Sequence, residues 1–154
     1  MRTTGTALLL IAIAAPCAAH AADEISLFDN FGKPVAYIEI ENGTEDDTEK
    51  DNLPTIYLWN GKPAAYLFSD DGSVHVYGFN GRHLGWFDEG LVISRTGKVA
   101  CAVKERTESP QFETLKGLKQ FRPFKGFREF APMKPLVSDT FGPMSCGVLL
   151  ASGI

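Results

Sequence analysis

The residues best placed to do chemistry are cations repeated at fixed positions. Lys33, Lys62, Arg82 and Lys98 each directly follow a glycine. If the segments that carry them close on one another, the four cations form a ring suited to a phosphate or a lipid headgroup. The plainer alternative is four solvated cations at turns. A second set lies between residues 115 and 136, where the chain runs in triplets: an apolar residue, usually a basic one, then a variable one. The apolar positions are Leu115, Leu118, Phe121, Phe124, Phe127, Phe130, Met133 and Leu136, and the cations are Lys116, Lys119, Arg122, Lys125, Arg128 and Lys134. At its centre Phe121, Arg122, Phe124, Lys125, Phe127 and Arg128 combine aromatic and cationic groups, the chemistry of docking on an anionic membrane or an amphipathic anionic ligand. Tyr37, Tyr66 and Trp86 recur at one position of an internal repeat, as cavity-lining or core residues.

Catalytic patterns are missing. The sequence holds neither a Gly-x-Ser-x-Gly elbow nor a phosphate-binding loop. His75 and His83 have no cysteine or carboxylate at a recognised metal-ligand spacing. The expectation is a protein that is not an enzyme and takes no cofactor, metal or nucleic-acid partner.

The elements that must position these groups come from a repeat. Four segments centred on Gly32, Gly61, Gly81 and Gly97 align: a basic residue after the glycine, then a small residue (Ala36, Ala65, Gly85, Cys101), an aromatic (Tyr37, Tyr66, Trp86, with Ala102 departing), and an apolar residue (Ile38, Leu67, Phe87, Val103). The flanks are rich in β-branched and aromatic residues, and no helical period emerges. Asn60-Gly61 and Asn80-Gly81 predict type I′ hairpin turns. The expected fold is all-β: eight short strands in a pseudo-four-fold set of β-hairpins, closed into a shallow barrel because one hairpin cannot bury its own apolar face. The acidic stretch from residue 41 to 52 reads as a solvated insert.

The Gly-Lys-Pro-x-Ala-Tyr strings at 32–37 and 61–66, and Val-Tyr-Gly-Phe-Asn-Gly-Arg-His-Leu-Gly-Trp-Phe at 76–87, resemble the four-fold β-flower proteins over residues 25 to 105. The resemblance implies a pseudo-symmetric barrel of hairpin petals with an apolar interior. It implies no activity, and a loose likeness of shape to tubby-like lipid-binding domains is analogy of fold alone.

A period of three fits polyproline II rather than helix or strand, and Gly117, Pro123, Gly126, Pro132 and Pro135 agree. Such a tail reaches roughly 70 Å, against a body about 25–30 Å across. Burying each phenylalanine contributes about 1.5–3 kcal/mol, so free exposure is not expected. Wrapping of the tail on its own barrel ranks first, then a membrane, then another chain. The net charge of −4 conceals an acidic body and a basic tail that could bind each other.

Residues 1–21 read as a signal peptide cleaved after Ala21, with an uncleaved anchor or acylation at Cys17 as alternatives. The remaining divisions are a four-hairpin domain at 22–105, a linker and triplet tail at 106–140, and an apolar segment at 141–154, of which Gly147 to Ala151 could add a strand or plug the barrel. Cys101 and Cys146 would then share an oxidising periplasm or envelope, as a disulfide or as two buried thiols. The functional expectation is an exported binding module for lipid, the membrane surface or an amphipathic anionic ligand. The alternative is an assembly protein whose tail makes homo-oligomer or protein contacts.

Overall fold

A computed structural model describes residues 23–40 and 53–154. The signal-peptide reading, Cys17 and the acidic insert lie outside the described residues. Eight strands run as an antiparallel meander: β1 (Asp23–Phe28), β2 (Pro34–Ile40), β3 (Thr55–Leu58), β4 (Pro63–Asp70), β5 (Ser73–Gly78), β6 (His83–Asp88), β7 (Leu91–Ser94) and β8 (Lys98–Val103). β1 pairs with β8 through Leu27 opposite Val103 and Phe28 opposite Ala102, which closes the barrel and leaves neither strand as a free edge.

The turns differ from the sequence expectation. At Asn60-Gly61 and Asn80-Gly81 only the glycine takes positive φ, +86° and +87°. Gly61 N donates to Leu58 O, and Leu58 N donates to Lys62 O. Trp59 and Asn60 are therefore the centre of an ordinary four-residue turn, followed by a left-handed glycine that makes a bulge, and the register slips beside it. Gly32, Gly81 and Gly97 repeat this geometry with amides bonded to Asp29, Gly78 and Ser94. Asn60 and Asn80 keep negative φ because their side-chain oxygens accept from the Lys62 and Arg82 amides. The two-residue turns with both φ positive sit at the opposite end, at Asp71-Gly72 and Glu89-Gly90. One end of the barrel thus carries the four glycine bulges and the other the tight turns.

Strand alternation sorts the side chains. Leu27, Ala36, Ile38, Ile56, Ala65, Leu67, Val76, Val92 and Cys101 fill the interior. Eight-stranded barrels are just wide enough for side chains to fill, and the small repeat residues Ala36, Ala65 and Cys101 leave room for one more element. That element is α1 (Cys146–Ala151), which buries Cys146, Leu149 and Leu150 among the core residues. The helix was not legible as a period, since six residues are too few to display one. Its start is marked by Ser145, whose hydroxyl accepts from Val148 N. A ninth strand, β9 (Ser138–Phe141), runs parallel to β8.

Cys101 and Cys146 form a disulfide that ties α1 to the inner face of β8. Closing a loop across a separation of 45 residues stabilises by about 4 kcal/mol if it acts through chain entropy. The Cys101→Ser/Cys146→Ser double variant is expected to lose several kcal/mol in urea unfolding. An unchanged midpoint would mean that the plug is held by packing alone.

Candidate functional site

Between β8 and α1 the chain leaves the barrel and returns along the end that bears the glycine bulges. From residue 108 to 137 it forms neither helix nor strand, and its backbone donors go to the barrel. The amides of Gln111, Gln120, Glu129 and Ser138 donate to the carbonyls of Gly32, Gly61, Gly81 and Gly97 at 2.8, 2.9, 2.9 and 2.9 Å. Gly117 and Gly126 donate to Trp59 and Phe79 carbonyls in the same way. The strap therefore advances nine residues per petal. Its triplets are grouped in threes, one group for each quarter of the barrel. Close approach explains why these turn residues are glycines: a Cβ at Gly61 would overlap the Leu118 carbonyl, and one at Gly81 the Phe127 carbonyl.

The strap lies with its cations inward. Lys116 pairs with Glu24 and sits 4.4 Å from the Tyr37 ring centroid and 5.3 Å from that of Trp59. Lys119 pairs with buried Glu39. Arg122 reaches Thr55 Oγ1, and Lys125 lies 5.3 Å from the Tyr66 centroid. Arg128 stacks 3.6 Å from Phe68, with Tyr77 beyond it, and Lys134 pairs with Asp88 at 2.9 Å. Burial, with Glu24 and Glu39 adding to it, pushes the Tyr37 phenol up to about 12. The ring under Lys116 is therefore neutral at physiological pH, and the contact is cation–π.

One sequence expectation changes here, the burial of the phenylalanines. Of the two readings of Tyr37, Tyr66 and Trp86, core and cavity lining, the structure shows the first: all three are buried. The residues one position before them, Ala36, Ala65 and Gly85, leave them on the outer face, where Tyr37 and Tyr66 meet the strap's cations. The basic edge of the strap lies on the acidic and aromatic groups of the outer face, the contact that the opposed charges of body and tail allowed. The phenylalanines are not buried by wrapping. Phe112, Leu115, Leu118, Phe121, Phe124, Phe127, Phe130, Met133 and Leu136 are each at least 91 % exposed. Once the strap's amides and cations are committed to the barrel, a three-residue period sends every apolar side chain outward. Lys33, Lys62, Arg82 and Lys98 occupy equivalent exposed places beside the bulges, at one end of the barrel. In the fourth quarter, where Ala102 replaces the aromatic, Leu91, Ile93 and Val99 are covered by Phe141 of β9.

Glu129, absent from the sequence-based candidates, organises the third quarter. Its carboxylate accepts from His83 N at 2.8 Å and pairs with Arg95, while its carbonyl accepts from Tyr77 Oη. His83 is buried against Trp86 and Tyr77, and its Nε2 lies 3.0 Å from His75 Nδ1. The signal that could have revealed Glu129 is the nine-residue spacing of Gln111, Gln120 and Glu129. Among the described residues no group of three or more metal-ligating side chains occurs, and no helix is long and apolar enough to cross a membrane.

An eight-stranded barrel of four petals, plugged by a helix and belted by its own tail, is a four-fold flower-like domain. The sequence pattern of the 4-fold beta flower protein family matches residues 25–150, strap and plug included, and the chain belongs to that family. No curated protein and no solved structure matches it.

Burial, followed by the charges of His75 and Arg95, lowers the His83 pKa to about 4, with Glu129 opposing. A depressed histidine pKa means that the unfolded chain takes up the proton first. Stability is complete above about pH 6.5, falls as pH drops toward 4, and levels below it, by at most about 1.4 kcal/mol per pH unit for one group. His83→Phe is expected to flatten this part of a melting-temperature profile. A profile identical to that of the parent would contradict the assignment.

Proposed function

We propose that this protein is an exported, non-enzymatic module of the cell envelope that docks on lipid surfaces through the apolar collar of its strap. One observation carries the reading: nine large apolar side chains are almost wholly exposed along one continuous segment. The five phenylalanines alone represent roughly 150–250 Å² each. Their sum exceeds the largest apolar patch of a typical monomer, which marks a surface meant to be covered. A single row of side chains along the strap suits insertion about 5–10 Å into the headgroup boundary rather than a span. The Cys101–Cys146 bridge fits an oxidising compartment, which supports export.

Because the strap's cations are held by Glu24, Glu39, Asp88 and aromatic rings, lipid binding is expected to rest on apolar insertion. The exposed cations at Lys33, Lys62, Arg82 and Lys98 add a smaller electrostatic part. In vesicle flotation the protein is expected to float with both neutral and anionic vesicles, and to keep doing so at high salt. The Phe121→Ser/Phe124→Ser/Phe127→Ser variant changes only exposed side chains, so the fold is retained. Its partitioning is expected to fall at least tenfold, since each inserted phenylalanine contributes about 1.5–3 kcal/mol. If the parent stays unbound and instead forms an oligomer that the triple variant dissolves, the collar is an interface between copies and the assembly reading replaces this one.

A further inference from the structure

The strap does not lie flush everywhere. Between the first and second petals it stands off the barrel over an open groove of about 740 Å³, within the size range of small-molecule sites. Val35, Leu58 and Trp59 form the barrel wall, and Phe112 and Leu115 of the strap stand at the open rim, almost wholly exposed. Lys33 is the only ionisable side chain in the lining, and it forms no ion pair among the described residues. The wall is fixed in advance: Trp59 Nε1 donates to Thr114 Oγ1 at 3.1 Å, and the indole stands edge-on to Tyr37. At the corresponding place beside Phe79 the opening is only about 360 Å³ and is lined by Arg122 and Lys125.

We propose that this groove is a binding site for a single-chain anionic amphiphile, a fatty carboxylate. The hydrocarbon chain lies along Val35, Leu58 and Trp59 and draws Phe112 and Leu115 over it, and the head is held by Lys33. The occupant follows from the lining. An open, mainly apolar groove of this volume has room for one alkyl chain, and an ammonium in its lining with no ion pair among the described residues calls for one negative charge. The site rests on the lipid reading above and refines it, since a protein that docks on lipid with its collar would take a single chain from the same surface.

The test uses bromine-labelled palmitate below its micellar concentration, which quenches a tryptophan only in contact. Trp86 is buried and Trp59 is partly exposed in the groove lining, so quenching reports on the groove. The expected result is saturable quenching with one site per chain, lost in Trp59→Phe and weakened at least tenfold by Lys33→Glu or by Leu115→Asp. Bromine-labelled hexadecanol, which lacks the charge, is expected to bind at least tenfold more weakly. The Phe121/Phe124/Phe127 variant keeps palmitate binding while losing flotation, and Lys33→Glu loses palmitate binding while still floating with neutral vesicles, where its charge plays no part, so the two readings fail separately. Absence of saturable quenching in the parent would overturn the site. Quenching indifferent to both Lys33→Glu and Leu115→Asp, or equal affinity for the alcohol, would overturn it as well.

Discussion

Everything outside the barrel depends on four left-handed glycines. At Gly32, Gly61, Gly81 and Gly97 the backbone turns so that a carbonyl faces the strap and no Cβ stands in the way. Four strap amides, nine residues apart, accept that invitation. A backbone amide left unpaired in a partly buried place costs about 1–3 kcal/mol, so the register is held at four points and cannot slip by a triplet without loss at each. The disulfide closes the same segment covalently, because it joins β8, where the strap departs, to α1, where it ends.

Register then decides which face of the strap is seen. With the amides directed at the bulges, the cations fall over Tyr37, Tyr57, Tyr66 and Phe68 and beside Glu24, Glu39 and Asp88. A cation over a partly exposed ring gains about 0.5–1 kcal/mol, and Lys119 compensates a carboxylate that is almost fully buried. These contacts and the strap amides fix the inner face of the strap, and the phenylalanines fall on the other. The result is a collar whose apolar edge is presented rather than hidden. An acidic, aromatic barrel is therefore the means by which a basic tail is made to display its grease.

The repeat was legible in the sequence because it is written in residues with one role each. Glycine marks the bulge, a small residue marks the packed interior, and an aromatic marks the outer face. Closure and petal count followed from those positions. The turn type was not legible, because Asn-Gly serves both a type I′ turn and the second half of a glycine bulge, and the choice depends on what lies against the glycine. The strap's length per petal was also hidden. The three-residue period is loud, whereas the nine-residue period is carried by quieter identities: Gly117 with Gly126, Gln111 with Gln120, and Pro123 with Pro132. The outward orientation of the phenylalanines is not legible in the sequence, since area favours burial for each one alone. Only the joint demand of amides and cations reverses it. α1 was too short to announce itself, although Cys146 and the apolar run after it pointed to a plug.

Hydrogen exchange of the strap amides tests the central claim most directly. Backbone bonding to the glycine bulges predicts slow exchange at Gln111, Gln120, Glu129 and Ser138, and also at Gly117 and Gly126. It predicts fast exchange at the intervening residues, a nine-residue rhythm visible in the native protein. Uniformly fast exchange from residue 108 to 137 would contradict it, and would mean that the tail leaves the barrel and that the collar does not exist.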